Sequence, residues 1–303
     1  MAIAEVQSQS STPSRDPENE VTVSPIPQGD IKTPLMFAKL PESGEQAYMY
    51  IKKAPPPGVP FTNVRPIPMM VHLHDLRGKE SCVNLDDDSL EVLLKVPRPV
   101  STNFDDEESI KRTYYPEVER QLRRVIPNAS KIHIFRHGIR HTKNNPKPYN
   151  PPALIAHVDH TPTSVVQRIK RHLPDEADSL LKGRYRLIHF WQSLAGPVYD
   201  TPLAIASSST VRDEDVKTVL THLEDFDEET GSPVFNEGQK WYYLSGADSD
   251  EAILHQIWDS DALKEGSGVK GGRAVHSAFK DPRTPADAPA RWSIEVSALV
   301  FQE

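Results

Sequence analysis

The sequence predicts a mainly β fold with flanking helices, of the barrel or jelly-roll kind, on three observations. Short runs of apolar, β-branched and aromatic residues recur along the 303 residues, bounded by turn formers and by many of the 28 prolines. Helical periodicity shows in only three stretches. The strands do not alternate regularly with helices, as a parallel α/β sheet would require.

Residues 1 to 20 are rich in Ser, Gln, Glu and Pro and cannot offset the entropy of ordering, so a loose tail is expected. From Val21 to Pro68, prolines interrupt each short apolar run, which predicts strands and extended segments draped over a core. Met69 to Leu76 reads as a strand, with Arg77-Gly78 as its turn. It carries His72 and His74 on one face, but no carboxylate of the strand shares that face, so both are read as structural. Asp105 to Arg124 places Ile110, Tyr114, Val118 and Leu122 on one side of a helix begun by Asp105 or Asp106. Lys131–Arg136 follows as a strand.

Ala153-Leu-Ile-Ala-His157-Val-Asp159-His160-Thr161 holds the first functional signal. Pro151 and Pro152 stop a helix before it, and Thr161-Pro162 caps the next one, so the run is expected to be a strand. On a strand the side chains of His157 and Asp159 leave the same face and can meet one metal ion. On a helix the same spacing would point them apart. His222 and Glu224 are the counter-example: Val216, Val219, Leu220 and Leu223 recur at helical spacing, so that pair is set aside. Ser164 to Leu173 is a helix, and Tyr185–Trp191, Leu203–Ala206, Trp241–Leu244, Glu251–Trp258, Arg273–His276 and Trp292–Phe301 complete a strand-rich second half.

A third ligand is available in Gly271-Gly-Arg-Ala-Val-His276, where glycines turn into a short strand that ends at His276. Two histidines and one carboxylate on one face of an octahedral iron form the facial triad of non-haem Fe(II) oxygenases. Arg291 and Ser293 share a face at the start of the last strand, and a guanidinium fork with a hydroxyl suits a buried carboxylate. The plainer reading pairs Arg291 with Glu295 on the surface.

Composition narrows the partners. The net charge is −8, the pI is about 5.9, and Lys and Arg are scattered, so no nucleic acid is expected. Cys82 is the lone cysteine, which rules out an intrachain disulfide and a thiolate-built metal site and suits a reducing cytoplasm. No apolar run nears the roughly 18 residues that span a bilayer, and neither end carries a targeting pattern, so no membrane partner is expected. The length suits one catalytic-size domain acting on a small-molecule substrate; monomer and homodimer both stay open.

With these residues in place, the chain resembles the iron- and 2-oxoglutarate-dependent oxygenases. Its wider text is similar to the fungal hydroxylase/desaturase family that contains gibberellin desaturase and is related to cephem methoxylase. The likeness runs from Ser24 to Phe301. It includes Arg112-Thr-Tyr-Tyr-Pro-Glu117, Trp191 with Gly196–Ala204, Asp248–Glu251 with Trp258–Ser260, and His276–Pro282 with Ser293-Ile-Glu-Val296. The resemblance implies a double-stranded β-helix (jelly roll, cupin-like) core over 131–303, with the strands and helix of 21–130 packed on it in a single domain. It implies that His157, Asp159 and His276 hold Fe(II) and that Arg291 and Ser293 hold the distal carboxylate of 2-oxoglutarate. It further implies, with O2, oxidation of a secondary-metabolite C–H bond by hydroxylation, desaturation or cyclisation, with release of succinate and CO2. Asp159 argues against halogenation, for which the carboxylate is absent.

The chain departs from the family at Trp191-Gln192-Ser193, where Trp-Arg-Pro is usual, at Ser207, where an acid is usual, and at Ser297, where arginine is usual. One interior ionic network replaced as a set is the reading of these three. His189, Trp191, Gln192, Tyr199, Ser207 and Ser297 are the candidate pocket residues. The competing functions are a non-catalytic jelly roll that binds a metal or small acid, and a zinc hydrolase on the same triad, which lacks a clear general base. A nucleophilic hydrolase fails because neither Cys82 nor Ser207–Ser209 has a nucleophile-elbow setting.

Overall fold

The computed structural model describes residues 24–143, 150–262 and 264–303; the expected tail at 1–20 lies outside them. The strands are β1 (Ile31–Lys39), β2 (Ala47–Tyr50), β3 (Arg65–Asp75), β4 (Leu90–Leu93), β5 (Lys131–His141), β6 (Arg184–Ser193), β7 (Leu203–Ala206), β8 (Val216–His222), β9 (Asp227–Pro233), β10 (Trp241–Tyr243), β11 (Ala252–Asp259), β12 (His276–Ala278) and β13 (Trp292–Gln302). The helices are α1 (Leu85–Asp88), α2 (Glu107–Ser109), α3 (Tyr115–Val125), α4 (Pro162–His172) and α5 (Ala177–Leu180). Two five-stranded sheets, β1-β3-β10-β7-β12 and β4-β11-β6-β13-β5, and a smaller β2-β8-β9 sheet make the jelly roll. Strands from the first hundred residues are woven into both large sheets, since β3 pairs with β10 and β4 with β11.

The second large sheet is covered on both faces, and side-chain parity along β13 shows how. Ile294, Val296, Ala298 and Val300 join Ile188 and Phe190 of β6 and Leu254 of β11 in an apolar layer. Ile110, Tyr114, Val118 and Leu122 close that layer from outside. These four sit at four-residue spacing, and the turn Ile110–Tyr114 between α2 and α3 is a π-helix, which holds residues i and i+4 on one line better than an α-turn does. Asp106 caps the start, accepting from the backbone N–H of Glu108 and Ser109. Arg291, just before β13, and the alternate positions Ser293, Glu295 and Ser297 face the other way into the roll, where polar residues interrupt two apolar clusters.

Three local expectations change. Val216 to Leu223 is β8 running into a hairpin with β9, not a helix. Its valines and threonines are β-branched, and Val219 and Thr221 bury on one side at strand spacing, so packing against β2 and β9 overrides the helical coincidence. His222 there pairs with Asp227 at 2.9 Å, so setting the His222/Glu224 pair aside stands for a different reason. His276 begins β12 rather than ending a strand. The 153–161 run is extended but joins no ladder; it makes isolated bridges instead.

Candidate active site

Those bridges set the site. The Ala156 N–H donates to Met36 of β1, His157 exchanges both backbone bonds with His276 of β12, and Val158 exchanges both with Gly231 of β9. A Cβ at Gly231 would lie 2.8 Å from Val216 and 3.1 Å from Val158, so only glycine admits this close crossing. Pinned between β12 and β9, His157 and Asp159 project together, and Thr161 then caps α4 by accepting from the Ser164 N–H.

His157, Asp159 and His276 come together with one ligand atom of each within 4.8 Å of the others. The Nδ1 of His157 lies 2.7 Å from the Ile155 carbonyl and that of His276 lies 2.9 Å from the Ala274 carbonyl. A carbonyl only accepts, so each Nδ1 carries the proton and each Nε2 is left as a lone-pair donor. The His157 Nε2 sits 3.2 Å from one oxygen of Asp159, and His189 Nδ1 sits 3.3 Å from the other. Burial would raise the Asp159 pKa, but His157, His189 and His276 hold it well below the carboxylate range. Burial pulls His157 down, and its bond to Asp159 outweighs that, leaving it raised. His276 is pushed down to about 3 by burial and by its neighbours His157 and His255. A carboxylate beside a neutral imidazole, with both Nε2 atoms presented, fits a divalent iron.

Arg291 is buried, 5% exposed, which overturns the surface pairing with Glu295. Its Nε donates to Ser293 Oγ at 3.1 Å, its Nη1 to the Thr201 carbonyl, and its guanidinium lies 5.1 Å from the centre of the Trp191 ring. Its own backbone N–H is held by Asp200 and Thr142. Burial lowers its pKa to about 10, so it stays cationic at neutral pH. This is a desolvated, aimed fork on the same strand face as Glu295, about 13 Å further along at four residues of rise.

Sequence reasoning missed two members. His255 of β11 stands beside His189 of β6, with ring centres 5.0 Å apart, and Glu295 reaches both, at 3.5 Å from His189 and 3.3 Å from His255. The two histidines draw Glu295 below its ordinary pKa against the effect of burial, and burial brings His189 down to about 4. Strand parity was the available signal for Glu295, which shares a face with Arg291 and Ser293.

The proposed pocket residues separate. His189 touches the triad, Trp191 lies under Arg291, and Ser297, beside His189 across the β6–β13 ladder, is buried on the same face. Gln192 points to the opposite face, accepting from the Tyr114 hydroxyl at 2.5 Å and donating to the Ser249 carbonyl, so it is corrected from pocket to outer layer. Ser207 bonds to Asp88 of α1 and to Ser209, and Tyr199, half-buried, meets Thr284 through its carbonyl. Gln192, Ser207 and Ser297 therefore do not share one ionic network, because two lie on opposite sides of a sheet and the third is engaged with α1.

The family whose description reads "Oxidoreductase/YMDC permease-like domain" matches residues 35–301. Among the described residues no helix is long and apolar enough to cross a membrane. The hydroxylase/desaturase poxK of Penicillium oxalicum is 51% identical over 94% of this chain and 95% of its own length. The Fe(II)/2-oxoglutarate-dependent dioxygenase nvfI of Aspergillus novofumigatus is 30% identical over 86% of this chain and 93% of its own. A solved structure of the iron and alpha-ketoglutarate-dependent endoperoxidase NvfI superposes with a TM-score of 0.81 at 29% identity, covering 91% of this chain and 99% of that one. The chain therefore belongs to the fungal hydroxylase/desaturase family of dioxygenases, which use Fe(II), 2-oxoglutarate and O2.

Proposed function

We propose that His157, Asp159 and His276 hold the iron, that Arg291 and Ser293 hold the distal carboxylate of 2-oxoglutarate, and that the enzyme oxidises a C–H bond of a small secondary-metabolite intermediate in the cytoplasm. The observation that carries this is the pair of Nδ1–carbonyl contacts, which leave two Nε2 atoms and one carboxylate converging in one place. Bound iron supplies the oxidising chemistry by coupling O2 reduction to decarboxylation of the cosubstrate. The chain does the rest. Arg291 and Ser293 fix the far end of the cosubstrate and so its reach, while Trp191 covers the guanidinium and keeps water from it. His189 Nδ1 sits beside the free Asp159 oxygen, fixing which oxygen is presented to the metal.

Hydroxylation, desaturation and oxidative cyclisation all begin from a held C–H bond, and we assign His189, His255, Glu295 and Ser297, which border the triad, to the wall that shapes the substrate's position. Anaerobic addition of 2-oxoglutarate to the Fe(II) protein tests the assignment. A weak visible charge-transfer band is expected, lost in His157→Ala and reduced in Arg291→Ala at limiting cosubstrate. A His157→Ala chain that kept the full band would overturn it.

A further inference from the structure

We propose a second metal site, formed by Asp30, His72 and His74 on the surface, that takes a divalent transition ion of the Zn(II) or Cu(II) class. The sequence shows no carboxylate on the face of His72 and His74, and that reading is corrected by the fold. In the β1–β3 ladder Ile31 lies opposite Leu73 and Lys32 opposite His72, which brings Asp30, just before β1, alongside His74. One Asp30 oxygen then lies 2.8 Å from His74 Nδ1 and 3.5 Å from His72 Nε2, and the two imidazole centres are 4.3 Å apart. One ligand atom from each residue falls within 4.8 Å of the others.

The cluster is held in place from behind. The second Asp30 oxygen accepts from the Asp75 N–H at 2.9 Å. The preceding Gly29, at φ +86°, donates its N–H to Asp75 and has its carbonyl bound by the Tyr243 hydroxyl at 2.6 Å. The Asp75 N–H thus holds one Asp30 oxygen and leaves the other facing the two imidazoles. Asp30, His72 and His74 are 41%, 47% and 38% exposed at their side chains, so an ion reaches them from solvent. A cavity of about 400 Å³ opens beside them, with His72, His74, Glu237 and Lys240 in its lining, and leaves room for water or an anion in the remaining coordination positions.

Two imidazoles and one carboxylate bind Cu(II) and Zn(II) more tightly than Fe(II) in the usual order of divalent affinities. The site is separate from the iron triad. His74, Tyr242, Ile205 and His276 lie in register across four neighbouring strands, three steps of about 4.8 Å, or about 14 Å in all.

The test uses the full chain, stripped of metal and dialysed against Zn(II), with bound zinc counted by mass spectrometry. His72→Gln/His74→Gln is expected to carry one zinc fewer per chain than wild type, and Asp30→Asn to lose the same ion. His157→Ala/His276→Ala is expected to keep it. With Cu(II) in the His157→Ala/His276→Ala chain, the paramagnetic signal of a two-nitrogen site should remain, and it should vanish when His72→Gln/His74→Gln is added. Undiminished zinc in His72→Gln/His74→Gln, or a His157→Ala/His276→Ala chain that holds no zinc, would overturn the proposal. Because His72 and His74 stand outside the iron site, either result leaves the oxygenase assignment untouched.

Discussion

Replacing Arg291 by glutamine measures what the buried fork does. A guanidinium has five N–H donors. The Nε proton is used on Ser293 and one Nη1 proton on Thr201, which leaves the other Nη1 proton and both Nη2 protons for a ligand. Two of these match a carboxylate, and each charge-assisted bond contributes about 1.5 to 3 kcal/mol in a desolvated site. Glutamine retains one neutral donor that recovers about 1 kcal/mol, so the net loss is about 2 to 5 kcal/mol, centred near 3.5. At about 1.4 kcal/mol per factor of ten, the KM for 2-oxoglutarate should rise roughly 30- to 4,000-fold, centred near 300-fold. Succinate release measured against 2-oxoglutarate concentration reads this directly, with kcat near wild type at saturation and Fe(II) affinity unchanged. Arg291→Lys, which keeps charge but not the fork, should fall between. A KM within threefold of wild type in Arg291→Gln would refute the reasoning, because a buried cation with three free donors would then face something other than the cosubstrate.

Four further outcomes are expected. His276→Ala should abolish turnover and the keto acid band together, and chelation of the wild type followed by Fe(II) should restore both. His189→Leu, which removes the imidazole 3.3 Å from the second Asp159 oxygen, should weaken Fe(II) binding about 10- to 100-fold in an anaerobic titration while the triad stays intact. Tyr114→Phe should cost about 1 to 3 kcal/mol in denaturant unfolding by orphaning the buried Gln192 oxygen, with the product unchanged; a changed product would return Gln192 to the pocket. Burial raises the Tyr243 phenol to about 12, above its unfolded value near 10, so its contribution to stability is complete below pH 10 and is lost as the pH climbs to 12. Melting curves of Tyr243→Phe should therefore be flatter over that window than those of the wild type.

Much of the site was legible because strand parity is a strict local code. Arg291, Ser293, Glu295 and Ser297 share a face by alternation alone, and so do His189 and Trp191. The same rule separates Trp191 from Gln192, neighbours that cannot both enter one pocket, so that misplacement was avoidable. The helix expected at 216–225 failed for a different reason. Its apolar spacing fitted a helix, while its β-branched content and the hairpin partner β9 favoured a strand, and pairing won. Asp30 was invisible as a partner of His72 and His74 because it arrives from another strand, as His255 arrives beside His189. No local pattern carries either meeting.

The sequence by itself determined the chemistry on offer: two imidazoles, a carboxylate, a guanidinium and a hydroxyl at spacings that work only on extended chain. It also determined the β-rich class, through short runs cut by proline. The tertiary structure decided which of these residues meet. Backbone hydrogen bonding between strands is nearly blind to side-chain identity, so local text cannot specify that the 153–158 run lies between β12 and β9. That placement follows from burying every apolar face of the roll at once. It brings His157 to His276, and the pairing of β1 with β3 likewise gives His72 and His74 a carboxylate of their own.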